Sequence, residues 1–147
     1  IGKYPVEAVR WLRRIIEASE KHPPEIVEGV NETLYDKFAK GVVLLAGSLE
    51  AYITAYTRRG NTAMRLSRYR PVQGVFAFTS NLRVARQLSL LWGVEPFYIK
   101  VGEERDLWST IVSTLKERGI VGYGDIVIMT TGMKPGTTDM LRIETIK

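Results

Sequence analysis

The 147-residue chain has no cysteine and a single histidine, His22. Disulfides, thiol nucleophiles and thiolate metal sites are thereby excluded, and one imidazole is left for any acid–base or metal role. His22 sits just before Pro23 and Pro24, where a solvated helix end is the simplest reading. No apolar run approaches the roughly 20 residues that span a bilayer. The amphipathic, charged start IGKYPVEAVRWLRRIIEASE is not a secretory leader. Asn and Gln are few, a bias shared with heat-adapted proteins. There is no Walker A loop, no pair of loop carboxylates and no nucleophile–base pair, so nothing reads as a catalytic centre. These absences fit a cytoplasmic domain with no membrane partner. An opening Ile rather than Met points to a fragment or a processed end.

What is present suits one α/β domain with a sizeable core. The net charge of +5 is concentrated in the middle, at Arg58, Arg59, Arg65, Arg68, Arg70, Arg83 and Arg86. No zinc finger, helix-turn-helix or aromatic RNA platform accompanies these arginines, so nucleic acid is not expected as a partner. A small phosphorylated ligand explains a local arginine cluster better.

Hydrophobic spacing predicts a first helix over Tyr4 to Glu20, stopped at Lys21-His22-Pro23-Pro24, with Glu25 to Gly29 as a linker. A second helix, capped by Asn31 and running to about Gly47, carries Leu34, Phe38, Val42 and Leu45 on one face. Strands and helices then alternate: strand Ala51 to Thr57, helix Thr62 to Tyr69, strand Gly74 to Thr79, helix Asn81 to Trp92, strand Val94 to Ile99, helix Asp106 to Arg118, strand Asp125 to Met129. Short, nearly continuous apolar strands separated by helices predict a mostly parallel sheet covered on both faces. The expected fold is a three-layer α/β/α sandwich of five strands. The last strand, Asp139 to Ile146, follows a loop too short for a crossover helix and should pair antiparallel.

The segment AYTRRGNTAMRLSRYRP, Ala55 to Pro71, carries the strongest functional signal. A strand runs into Thr57-Arg58-Arg59-Gly60-Asn61-Thr62 and then into a helix start. Hydroxyls, backbone N–H groups and guanidiniums thus meet where a helix N-terminus already favours negative charge. Thr57, Arg58, Arg59, Gly60, Asn61 and Thr62 are the candidate phosphate ligands. Thr79 and Ser80 read instead as caps of the following helix. Arg83 and Arg86 read as a solvated face, and Trp11, Trp92 and Trp108 as helical core or interface residues.

Four segments, in order, resemble the pyruvate kinase family. ITAYTRRGNTAMRLSRYRP (Ile53 to Pro71) is similar to its effector-loop segment, a Thr-Lys-Ser-Gly-Arg-Ser/Thr-Ala turn with an Arg-Tyr-Arg-Pro ending. VFAFTSNLRVARQLSLLWGVEPFYI resembles its Thr-x-Asn turn, Ala-Arg-Gln helix and Gly-Ile/Val-x-Pro strand. GDIVIMTTGMKPGTTDMLRI resembles its Gly-Asp strand, Thr-Gly-Trp-Arg-Pro-Gly loop and last strand. GKYPVEAVRWL resembles the helix that closes its catalytic barrel. The matches run from Gly2 to about Ile143.

The resemblance implies that residues 1–24 are the last barrel helix and residues 25–147 a regulatory α/β domain. It implies an enzyme that transfers phosphoryl from phosphoenolpyruvate to ADP in glycolysis, with Mg²⁺ and K⁺ bound outside this chain and no catalytic residue within it. It also implies a homotetramer assembled through these domains. Two departures bear on the ligand. Arg58-Arg59 replaces the family's Lys-Ser, and Met133-Lys134 replaces Trp-Arg in a loop that reads as shortened. Lys134, Gly136 and Thr137 are the expected second contact loop, and the shortening favours a ligand with one phosphate: a sugar phosphate, a phosphoglycerate or a nucleoside monophosphate. Two rival expectations are a stand-alone Rossmann-like phosphatase or transferase, and a domain that only supports assembly.

Overall fold

The structure, a computed structural model, describes residues 2–21, 32–100, 107–132, 134 and 137–147. It comprises helix α1 (Pro5–Glu20), α2 (Leu34–Leu49), strand β1 (Tyr52–Tyr56), α3 (Asn61–Arg68), β2 (Val75–Thr79), α4 (Leu82–Leu88), β3 (Val94–Tyr98), α5 (Leu107–Glu117), β4 (Ile126–Thr131) and β5 (Met140–Thr145). The five strands lie in the order β3-β2-β1-β4-β5. β1 pairs in parallel with β2 and with β4, β2 with β3 likewise, and β4 pairs antiparallel with β5. The expected three-layer sandwich with an antiparallel last strand is the fold observed.

Chain direction decides which helix covers which face. From β1 to β3 the chain steps one way, and right-handed crossovers put α3 and α4 on one side, beside α2. From β3 it steps back across β2 and β1 to β4, so α5 must cover the opposite side. The core divides accordingly. Ile53, Ala55, Val75 and Ile128 pack against α2 and α3, while Phe78, Phe97, Val127 and Met129 pack against Ile111 and Leu115 of α5.

Helix α2 differs from expectation at both ends and in its buried face. Asn31 lies outside the described residues, as do His22 and the linker at Glu25 to Gly29. The helix is capped by Thr33, whose hydroxyl accepts from Asp36 N while Asp36 closes the capping box. It runs on to Leu49, and its buried residues are Ala39, Val42, Val43 and Ala46, with Leu34 exposed. Small residues at 39 and 46 let the helix approach the sheet closely, so its inward face is rotated from the one its large residues suggest.

Helix α4 ends at Leu88, and Trp92 stands in the turn beyond it rather than on a helix. Asn81, not Ser80, caps α4, its carboxamide oxygen accepting from Arg83 N and Val84 N. Thr79 shares the work at this helix start, accepting from Asn81 N. α1 stands apart, with none of its residues buried.

At the amino ends of β2 and β3 the backbone closes tightly. Gly74 has φ +72°, and a Cβ there would lie 2.7 Å from the Gly93 carbonyl oxygen that accepts from Val75 N. Gly74→Ala is expected to destabilise the domain by about 2–4 kcal/mol, combining left-handed strain with a backbone clash. Urea unfolding of the two proteins measures this; a loss below about 0.5 kcal/mol would show that the β2–β3 junction relaxes freely.

Candidate functional site

In an open parallel sheet, ligands bind beyond the carboxyl ends of the strands where the strand order reverses. Here the reversal falls between β1 and β4, and the two segments singled out in the sequence leave the sheet there. The turn at residues 57–60 follows β1, and the loop at 132–139 follows β4.

The turn after β1 is built from its own side chains. Thr57 is buried, and its hydroxyl accepts from Gly60 N at 2.9 Å. Its own N–H is tied to Phe78 O. Gly60 precedes α3 with φ +89°, and a Cβ there would press on Leu88 and Val84 of α4 at 3.4 and 3.6 Å. Glycine thus serves both the left-handed backbone and the close approach of α4. Because the Gly60 N–H is taken by Thr57, the donors presented by this turn are those of the first turn of α3, which no side chain caps. Arg58 and Arg59 are exposed on the turn and Asn61 is half-buried.

The two predicted segments meet through a residue that the sequence reading did not single out. Thr62 Oγ1 lies 2.9 Å from Thr138 Oγ1, and both residues are buried. Arg65 Nη1 donates to the same Thr138 oxygen at 3.2 Å. Arg65 Nε lies 3.5 Å from Asp36 Oδ1, and its guanidinium sits over the Tyr35 ring. The start of α2, the start of α3 and the loop after β4 are thereby joined. Thr138 is one of two adjacent threonines in a stretch of loop-like composition, and only its burial distinguishes it.

Within the 132–139 loop, Thr137 looks inward on the loop itself. Its hydroxyl accepts from Lys134 N at 3.1 Å and faces Lys134 O and Asp139 Oδ1. Lys134 is exposed. Gly136 lies outside the described residues, as do Met133 and Pro135.

The arginine-rich end of α3 is structural where it can be traced. Tyr69 is buried, donates to Glu32 Oε1 at 3.0 Å, and has its phenol pushed up to about 12 by burial and by that carboxylate. Arg70 lies over the Trp92 ring. A shallow hollow of about 440 Å³ borders Trp92, Gly74 and Glu95 at the amino ends of β2 and β3. It lies at the end of the sheet opposite the strand-order reversal, so the candidate site is a surface cradle rather than this hollow. Among the described residues no group of three His, Cys, Asp or Glu side chains could hold a metal ion, and no helix is long and apolar enough to cross a membrane.

A family model described as "Pyruvate kinase, alpha/beta domain" matches residues 36–144. Pyruvate kinase 2 of Synechocystis sp. is 31% identical over 100% of this chain and 26% of its own length. The pyruvate kinase of Clostridium acetobutylicum is 35% identical over 99% of this chain and 33% of its own. The crystal structure of pyruvate kinase from Pyrobaculum aerophilum superimposes with a TM-score of 0.76 at 32% identity, over 99% of this chain and 30% of that one. The chain spans about a quarter to a third of the length of these relatives.

Asp36 gives this site a pH signature. Hydrogen bonds from the Thr33 hydroxyl and then the Thr33 N–H, with Arg65 and Arg68 adding attraction, hold its carboxyl below the ordinary value. Stability resting on the ionised form is complete above the usual carboxylate pKa of about 3.9 and is lost as pH falls through the lower folded value. Asp36→Ala is therefore expected to cost about 1 kcal/mol at pH 7, with the gap to the wild type closing below about pH 4. Urea midpoints across that range check it, and a gap that widens on acidification would refute it.

Proposed function

Because the chain belongs to the pyruvate kinase family, as its C-terminal α/β domain, we propose that it is the effector-binding and assembly module of an enzyme that transfers phosphoryl from phosphoenolpyruvate to ADP. The observation that carries this reading is the meeting of the Thr57–Thr62 turn with the loop after β4 through the Thr62–Thr138 contact. An uncapped first turn, a buried hydroxyl pair and two exposed arginines are the components that hold a phosphate group. In the proposed arrangement the amides of α3 and the Thr62 hydroxyl face the phosphate, and Arg58 and Arg59 close over it from solvent. Lys134 approaches the rest of the ligand. With one lysine in place of the family's Trp-Arg pair, the favoured ligands carry a single phosphate: a sugar phosphate, a phosphoglycerate or a nucleoside monophosphate.

Chemistry is assigned to the parent enzyme, not to this chain. Mg²⁺ and K⁺ would serve it outside this chain, as the family resemblance implies. Two exposed apolar surfaces support the placement. α1 leaves Val9, Leu12, Ile15 and Ile16 more than half exposed along one face, as suits a helix that packs against a preceding catalytic barrel. β5 is an edge strand with Met140 and Ile143 outward, suited to pairing with a second copy in a homotetramer. No feature favours a stand-alone phosphatase or transferase, and a purely structural role predicts no ligand at the turn.

Titration calorimetry with phosphorylated metabolites separates these readings. Arg58→Ala or Arg59→Ala is expected to weaken the best ligand by roughly ten- to a hundredfold, the loss of one charged contact of about 1.5–3 kcal/mol. Equal affinity in both variants would place the site elsewhere. The purified chain is further expected to form no pyruvate from phosphoenolpyruvate and ADP with Mg²⁺ and K⁺ present. Turnover above a protein-free blank would contradict the assignment of catalysis to the rest of the parent.

A further inference from the structure

The buried hydroxyls at the start of α3 form a chain with a direction. A guanidinium carries donors only, whereas a threonine hydroxyl has one proton and two lone pairs. Thr138 Oγ1 therefore accepts from Arg65 Nη1, and a cationic donor on its oxygen polarises its own O–H toward donating onward. The hydroxyl 2.9 Å away is that of Thr62; either oxygen could donate across this contact, and the polarised Thr138 O–H is the better donor, which casts Thr62 as the acceptor. The Thr62 proton is left as the open end of the chain. It sits in the second position of α3, in the turn that no side chain caps. Arg65 is fixed from the other side by the Asp36 carboxylate at 3.5 Å, and Asp36 is itself locked in the capping box with Thr33. A second buried polar group is unfilled. The Thr130 hydroxyl is fully buried near the carboxyl end of β4, in register with Ala55, and has no hydrogen-bond partner among the described residues. Its cross-strand neighbour Leu141 packs into the α2–α3 side of the core, so Thr130 faces the same side as the hydroxyl chain.

We propose that Arg65, acting through Thr138, is a positioning residue of the phosphate site: it fixes Thr62 as a hydrogen-bond donor and so selects an anionic oxygen at the first turn of α3. The proposal rests on the effector-binding reading of the same turn and extends it to regulation, because the donor's orientation depends on the start of α2 through Asp36. Thr138 and Arg65 need not touch the ligand to set its affinity. A ligand offering a donor instead of an acceptor would face the Thr62 proton head-on and be rejected.

Inorganic phosphate titrated into the isotope-labelled chain at constant ionic strength, followed at the amides of residues 60–63, tests this. The wild type is expected to show saturable shifts. Thr138→Val should weaken phosphate by about five- to tenfold, the loss of an orienting hydrogen bond rather than of a contact to the anion, while Thr138→Ser stays within about twofold. Arg65→Met should weaken binding as Thr138→Val does, and the double variant should be no weaker than either single one. A role confined to packing gives a different pattern: a lower melting temperature for Thr138→Val with phosphate affinity unchanged. That pattern, or equal losses in the Val and Ser variants, overturns the relay and leaves the effector reading standing. Should Thr138→Val not fold, Thr138→Ser and Arg65→Met carry the test, with wild-type affinity in Arg65→Met overturning the proposal. Absence of saturable binding in the wild type overturns the relay and the effector reading together.

Discussion

The parallel pairing of β1 with β2 on one side and β4 on the other is the contact on which the rest of the structure depends. A strand hydrogen-bonded on both edges and covered on both faces must be apolar throughout, and Ile53, Thr54 and Ala55 are fully buried. The one polar member, Thr54, is satisfied by donating to Ile128 O on the neighbouring strand. Each large side chain buried here contributes about 1.5–3 kcal/mol. The same pairing makes the chain reverse direction across β1, which sends α3 and α5 to opposite faces. The segments leaving β1 and β4 then lie side by side and meet at Thr62 and Thr138. The candidate site is a geometric consequence of that reversal.

Its chemistry depends on how the buried polar groups around it are paired. Thr57, Thr79 and Thr33 each spend an oxygen on a nearby backbone N–H, which shapes turns and helix starts without offering anything to a ligand. Thr62 and Thr138 differ because they pair with each other and draw a guanidinium to the pair. Arg58 and Arg59 are exposed on the turn, so any field they exert fades over about 8 Å at physiological salt. The proposed site therefore divides attraction from selection: the exposed arginines would gather charge, and the buried hydroxyls would set which atom of a ligand is accepted.

The amphipathic face of α1 leaves a run of large apolar groups in water, and the edge strand β5 leaves Met140 and Ile143 partly so. An indole N–H from Trp92 to the Glu20 carboxylate is a direct tie between α1 and the α/β domain. Being exposed and single, it is worth little by itself, so the position of α1 depends on whatever covers its apolar face.

Local chemistry was legible from the chain alone. The alternation of apolar strands with helices, the antiparallel last strand after a short Gly/Pro/Thr loop, and the Thr-Arg-Arg-Gly turn before a helix all follow from spacing and backbone preference, which act over a few residues. The buried face of α2 was legible in part: Val42 is buried and Phe38 and Leu45 pack against the core, but close approach to the sheet rewards Ala39 and Ala46 over Leu34, and only the facing strands decide that. The roles of Thr138, Arg65 and Asp36 were not legible, since each is an ordinary residue until three segments far apart in sequence are brought together. The sequence by itself determined the elements, the class of the sheet and the location of the candidate turn, because these depend on local periodicity and turn chemistry. Tertiary structure alone decided which hydroxyls meet, which N–H groups are left uncapped, and which guanidinium joins them, because those depend on contacts that exist only once β1 lies between β2 and β4.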